Sequence, residues 1–310
     1  MARLLAPGAL VVALVFPLVV PNEYYLYVAA LAFILAISAT GLNLILGYTG
    51  QLNLAHAGFM AVGSYGLGIL TVDYGVPFWP AFVLAALIAT AIGVLAGLVS
   101  LRLKTHFFAI FTLCVGLILS LVIEKWTSLT HGTTGLIGMQ PPGAIGPLRF
   151  DTTARQYYLV LFFLVAALWL TRRLAHSIVG RAFMAVRNSE ALAQALGIDV
   201  FRTKLLAFAL SAFYAGIAGA LYAGFVRFIG PDLASESHTF DLLAFILVGG
   251  IGTLGGPLIG ALLLTILTQS LQFLQDYRMI VFGPLLILLV IFFPQGIVGF
   301  IRLRRARAHA

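Results

Sequence analysis

The chain has 310 residues, of which 62% are hydrophobic and only 9% charged, with a mean hydropathy of +1.08. Soluble domains carry roughly a quarter of their residues as charges, so this composition excludes a soluble enzyme or binding module and points to an integral membrane protein. The formal net charge of +8 would suit nucleic acid, but the charges gather in particular loops, and their basicity reads as membrane topology.

Taken in chain order, the apolar runs place candidate spans at residues 5–20, 25–46, 53–72, 80–101, 106–123, 156–171, 205–226, 240–251, 257–274 and 279–301. The first run, with Arg3 ahead of it, has the outline of a signal peptide. Pro17 and Pro21 fit poorly around a small-residue cleavage site, so a short first span is the favoured reading. Arg3 and the tail arginines Arg302, Arg304, Arg305 and Arg307 belong on the same, inner side by the positive-inside rule. That demands an even number of crossings. Merging residues 240–274 into one span gives nine, so the expectation is ten, with both termini cytoplasmic and a very short eighth crossing. Under this assignment thirteen of the eighteen Lys/Arg and two of the ten Asp/Glu fall inside. No hydrophilic stretch is long enough for a second domain, and residues 1–310 read as one all-α polytopic bundle.

Two glycine-rich interruptions break the helical pattern. One runs from Gly47 to Gly58 and carries Gln51, Asn53 and His56, with Asn43 just before it; the other runs from Gly249 to Pro257 and includes Gly252 and Gly255. Paired interruptions in separate halves are the mark of discontinuous helices around a translocation pathway. Close helix packing by small residues is the competing reading. The polar cluster tips the first interruption towards a pathway, with Asn43, Gly47, Gln51, Asn53, His56, Gly252 and Gly255 as its candidate residues. The long outward loop at 125–155, rich in Gly and Pro, is a functional surface, a mobile segment or a plain connector.

Residues 172–204 interrupt the membrane pattern with six Lys/Arg against two acids, which places them in the cytoplasm. Ser189 or Asn188 caps a short helix there, Glu190 suits its first turn, and Gly197 stops it. Ala191, Leu192, Ala195 and Leu196 form an apolar stripe on that helix. A small amphipathic helix offered to the cytoplasm by a polytopic protein reads as a docking surface.

At these residues the chain resembles a known family. Gly41 to Phe59, the block Gly180 to Glu190 continuing through Lys204, and Gly249 to Pro257 together resemble the motifs of branched-chain amino-acid ABC transporter permeases of the M-type. The resemblance runs from about Tyr25 to Gln295. It implies a transmembrane subunit of a binding-protein-dependent importer in a bacterial inner membrane. The implied partners are a homologous second permease, two cytoplasmic ATPase subunits and a periplasmic amino-acid-binding protein. It also implies that the 172–204 segment couples to the ATPase through Arg181, Arg187, Glu190, Ala191, Ala195 and Gly197. The stretch departs from the Glu-Ala-Ala…Gly coupling motif of ABC importers, since Leu192 stands at the second Ala and Gly197 lies seven rather than six residues after Glu190.

The remaining residues narrow the chemistry. No Gly-x-x-x-x-Gly-Lys-Ser/Thr loop is present, so ATP hydrolysis belongs to another polypeptide. Neither a cofactor nor a metal is expected, because Cys114 is the only cysteine and no ligand spacing surrounds His56. His56 itself reads better as a hydrogen-bonded structural histidine than as a pathway residue. Glu124 beside Lys125 reads as a self-compensating pair at a membrane boundary. Arg181 and Arg187 are open between acids on an ATPase and lipid phosphates. A stand-alone secondary transporter needs an acidic coupling-ion site inside a span, and the middle of each assigned span lacks one. The alternatives within the importer class are other amino acids, urea or small amides as cargo.

Overall fold

Hydrocarbon offers a backbone no hydrogen-bonding partners, so apolar runs of this kind satisfy themselves as helices. The computed structural model describes residues 2–20, 22–103, 105–144, 146, 149–270 and 296–300. In chain order the helices are α1 (Ala2–Val19), α2 (Glu23–Thr49), α3 (His56–Val72), α4 (Phe78–Ser100), α5 (Thr105–Lys125) and the single turn α6 (Thr127–Thr130). They continue as α7 (Thr153–Ala175), α8 (Ile178–Asn188), α9 (Glu190–Ala195), α10 (Val200–Val226), α11 (Glu236–Gly249) and α12 (Gly256–Ser270). The expected span at 279–301 lies almost wholly outside the described residues, as do the arginines at 302–307.

Five of these helices, α2, α4, α5, α7 and α10, are long and apolar enough to cross a membrane. They are not equivalent. The apolar window of α2 is 83% buried and that of α10 61%, against 33% for α4, 28% for α7 and 17% for α5. Thus α2 and α10 form the centre, and α4, α5 and α7 present apolar residues such as Leu87, Ile110 and Phe162 outwards. A helix packed on one side and apolar on the other is what a lipid-facing position requires.

The centre is held by close backbone approach. Helix α10 packs along α2, α3 and α4. At the α3–α10 crossing Gly63 faces Gly216, and a Cβ on Gly63 would collide with the Gly216 backbone. The next residue, Ser64, donates its Oγ–H at 2.7 Å to the carbonyl of Gly219, one turn further along α10. Small residues let dispersion contacts and interhelical hydrogen bonds replace a hydrophobic driving force that lipid does not supply. Larger side chains seal the neighbouring surfaces: Phe208 meets Phe59 and Phe108 edge-on, and the Tyr214 hydroxyl lies 2.9 Å from Thr171 Oγ1.

Two contacts orient the central pair. Tyr27 near the start of α2 stacks on Phe225 near the end of α10, and Gly41, well along α2, lies against Ser211 and Tyr214 near the middle of α10; these helices therefore run antiparallel. Each has 27 residues, about 40 Å at the helical rise and enough to traverse a bilayer. One end of the molecule carries the end of α2, the α8–α9 hairpin and the start of α10. The other carries the loop that follows α5 and the connection between α10 and α11.

That loop is more ordered than its Gly- and Pro-rich sequence suggests. It contains one 3-10 turn (Gly132–Thr134) and the two-residue strand β1 (Leu136–Ile137), which pairs antiparallel with β2 (Phe228–Ile229), Leu136 lying opposite Ile229. Trp79 Nε1 donates to the Gly143 carbonyl at 2.8 Å and pins a second point. The loop is thus tied to the α10–α11 connection and to α4. This short ladder is the one departure from all-α architecture among the described residues.

Other differences concern helix ends. The span expected from residue 205 begins at Val200, because Asp199 caps it by accepting from Arg202 N at 3.0 Å. The short eighth span, expected at 240–251, is helical from Glu236 to Gly249, about one turn of which precedes the expected start because Ser235 provides an extended entry. The third span begins at His56 rather than 53. That shift has consequences for the site.

Candidate translocation and coupling junction

Helix α2 ends at Gly50, whose φ of 75° lies in the left-handed region and whose N–H reaches the carbonyls of Ile45 and Leu46. The chain then turns back along α2 without helical structure. Asn53 Oδ1 accepts from Ala55 N at 3.0 Å, a local bond that competes with helix formation. Helix α3 starts at His56, whose Nε2 lies 2.9 Å from the carbonyl of Ser38. Ser38 is twelve residues before Gly50, about 18 Å away along α2. Residues 51–55 therefore climb beside α2 in extended form, and α3 begins part-way through the bundle as a discontinuous helix.

Irregular backbone at that depth survives only when protein covers it and its polar groups find partners. Both conditions hold. Gln51, Asn53 and Ala55 are buried. Thr112 of α5 accepts from Leu54 N at 3.1 Å, and Thr239 of α11 accepts from Ala57 N at 3.2 Å. His56 is fully buried. A carbonyl only accepts, so Nε2 carries the hydrogen for Ser38, leaving Nδ1 to receive the Ser211 hydroxyl at 3.3 Å. His56 thereby ties the start of α3 to α2 and α10. The Nδ2 of Asn53, also buried, has no hydrogen-bond partner among the described residues.

The second interruption lies between α11 and α12 and packs on the last turns of α2. Asn43 is fully buried and uses both ends of its amide: Oδ1 accepts from Gly252 N at 2.8 Å, and Nδ2 donates to the Thr253 carbonyl at 3.0 Å. The backbones of Gly47 and Gly252 come so close that a Cβ on Gly47 would collide with both Gly252 and Asn43. Gly252 has a φ of 69°, which also favours glycine. Gly255, by contrast, has open space around it.

The charged segment between α7 and α10 folds as a hairpin of two helices. Ser177 caps α8 and Ser189 caps α9, the latter accepting from Leu192 N at 3.3 Å. Val186, Ala193 and Val200 make a small core of their own where α8, α9 and α10 meet. Ala191, Leu192, Ala195 and Leu196 remain exposed, Leu192 at 61% and Leu196 at 71%. Arg181 and Gly197 are exposed as well. Helices α7 and α10 connect the hairpin to the bundle, and specific side chains bind it further. Arg187 Nη1 donates to the Gly47 carbonyl and lies against Gly252. Glu190 Oε1 accepts from Lys204 Nζ at 2.6 Å and from Gln51 Nε2 at 3.5 Å.

The residues singled out in the sequence therefore fall into distinct places. Asn43, Gly47, Gly252 and Arg187 form one junction, with Gln51 and Glu190 beside it. Asn53 and His56 sit deeper, at the start of α3. Ala191, Ala195, Gly197 and Arg181 lie on the exposed side of the hairpin. Ser38, Thr112, Ser211, Thr239 and the pairing role of Lys204 were not singled out; a serine or threonine inside an apolar helix gives no local sign of the distant backbone group it serves.

The family described as branched-chain amino acid transport system / permease component matches residues 24–290. The high-affinity branched-chain amino acid transport system permease protein LivM of Escherichia coli (strain K12) is 31% identical, over 97% of this chain and 76% of that protein. LivH of the same organism, with the same description, is 29% identical over 85% of this chain and 91% of its own length. The autoinducer 2 import system permease protein LsrC of Klebsiella pneumoniae is 32% identical over 82% of this chain and 75% of that protein. No solved structure matches the chain.

Proposed function

The chain belongs to this family of branched-chain amino acid transport permeases, and from that premise we propose that it is one transmembrane subunit of a binding-protein-dependent ABC importer for branched-chain amino acids. It acts as a single membrane domain in a bacterial inner membrane, with ten crossings and both termini in the cytoplasm. Its partners are a homologous second permease, two cytoplasmic ATPase subunits and a periplasmic binding protein. It hydrolyses no ATP and holds no cofactor.

The observation that carries this reading is the α8–α9 hairpin. It exposes a small apolar face while being bound, through Arg187 and Glu190, to the helix interruptions. An exposed apolar patch on a charged loop is a docking surface for protein. A hairpin fixed to two discontinuous helices passes motion from that surface to the places where the bundle is least regular. In alternating access, closure of the ATPase pair moves the hairpins, and the interruptions at 50–55 and 250–255 are carried with them relative to the opposite end of the bundle. A loaded binding protein then delivers cargo to the cavity between the two permeases.

The test is reconstitution of the chain with its second permease, ATPase subunits and binding protein in proteoliposomes. Leucine-loaded binding protein is expected to stimulate ATP hydrolysis and leucine uptake together, and Leu192→Arg on the docking face to abolish both by removing the ATPase subunits. Uptake by the permease alone without ATP would overturn the proposal. Stimulation by another loaded cargo and not by leucine, isoleucine or valine would keep the importer and reassign the substrate.

A further inference from the structure

Lys204 is charged and lies in the first turns of α10 with only 7% of its side chain exposed. A buried ammonium is strongly destabilising without an anionic partner. The partner here is Glu190, 2.6 Å away, and the same carboxylate oxygen receives Gln51. Glu190 begins α9, so the residue that opens the exposed helix is engaged inwards, on α10 and on the extended segment after α2. Three residues earlier, Arg187 does the same with the last turn of α2 and with Gly252. The two charged side chains on either side of the Ser189 turn thus grip the bundle, while Ala191, Leu192, Ala195 and Leu196 are left on the surface.

We propose that Glu190 and Arg187 are positioning residues inside the permease: Glu190 through Lys204 and Gln51, and Arg187 through Gly47, fasten the hairpin to both helix interruptions, and neither is a contact to the ATPase. This rests on the coupling role proposed above for the hairpin. It divides that hairpin into an outer, docking face that is apolar and an inner, transmitting face that is charged. A glutamate recruited by the ATPase would leave Lys204 buried and unpaired, which the burial of Lys204 disfavours.

A charge swap in the assembled importer separates the two arrangements. Glu190→Lys and Lys204→Glu singly are each expected to lower ATP-driven leucine uptake at least about tenfold, with the ATPase subunits still co-purifying and hydrolysis no longer following the loaded binding protein. The double variant, which restores opposite charges, is expected to recover uptake to within about threefold of the parent. A milder cycle uses Glu190→Gln and Lys204→Met, read as thermal unfolding of the permease alone in detergent. There the two changes are expected to be strongly non-additive. Loss of the ATPase subunits with Glu190→Lys, no effect of Lys204→Glu and no recovery in the swap would overturn the proposal and assign Glu190 to the ATPase. Additive unfolding shifts in the milder cycle would also overturn it. If the parent complex shows no ATP-driven uptake, the importer reading falls, and the unfolding cycle still decides the ion pair.

Discussion

The two ends of this bundle are held together in different ways. At the hairpin end, polar contacts join residues far apart in sequence: Asn43 with Thr253, Gly47 with Arg187, and Gln51 with Glu190. At the opposite end the ion pairs are local or exposed. Lys125 pairs with its neighbour Glu124, Arg155 with Asp151 one helix turn away, and His131 with Asp73 at 3.4 Å on the surface. The Asp151 carboxyl is held below its ordinary range by hydrogen bonds from its own backbone amide and from Arg155. Long-range ties there include the β1–β2 ladder, the Trp79–Gly143 bond and the exposed His131–Asp73 contact. Long-range polar contacts make the hairpin end a single mechanical unit. Exposed pairs of this kind contribute little to cohesion.

This contrast can be broken most severely at the glycine contact. Gly47→Leu inserts a side chain where backbone already touches backbone, and is expected to cost about 3 kcal/mol or more through overpacking, read as loss of folded protein in detergent. Gly255→Ala, in open space in the same interruption, is expected to stay within about 0.5 kcal/mol of the parent. Equal behaviour of the two would mean that the close packing at Gly47 is absent. Next in size is Asn43→Leu. It strands the Gly252 N–H and the Thr253 carbonyl and is expected to lower stability by about 2–4 kcal/mol. Its effect should be non-additive with Gly252→Ala, whose contact it shares.

Smaller effects sharpen the comparison between the ends. Glu190→Gln removes the charge facing buried Lys204, but Glu190 is 44% exposed, so about 1–2 kcal/mol is expected after allowance for solvent screening. Lys125→Met breaks the exposed pair with Glu124 and is expected to change the unfolding free energy by less than about 0.5 kcal/mol. Thermal unfolding of both variants at low and high salt checks the order. An equal loss at the two sites would erase the distinction.

Most of what is local in this architecture is legible in the sequence. The cap at Ser189 and the stop at Gly197 involve residues only a few positions apart, and the hairpin follows from them; the cap at Asp199 is as local, but the apolar run starts at 205 and hides it. The two interruptions announce themselves through glycine, proline and amide side chains. What the sequence hides is where those interruptions point. Leu52, Leu54 and Ala55 have the same hydropathy whether helical or extended, so hydropathy alone extends the third span back to residue 53. Only the Ser38–His56 contact reveals that the chain climbs beside α2 before α3 begins. Lys204 reads as one more inner-loop cation because its burial is created by α9 folding over it. The strands β1 and β2 have two residues each, too few for an alternating pattern.

The contacts of Arg187 and Asn43 with Gly47 and Gly252 imply that the α8–α9 hairpin and the α11–α12 interruption move as one body. Spin labels at Leu196→Cys and Gly255→Cys, with Cys114→Ser to remove the native thiol, measure their separation in the full complex. A third label at Ile137→Cys reports on the opposite end. On adding ATP, the distance between the hairpin and the interruption is expected to stay unchanged while both shift relative to Ile137. A hairpin that moves relative to Gly255 while the interruption stays fixed relative to Ile137 would contradict the account.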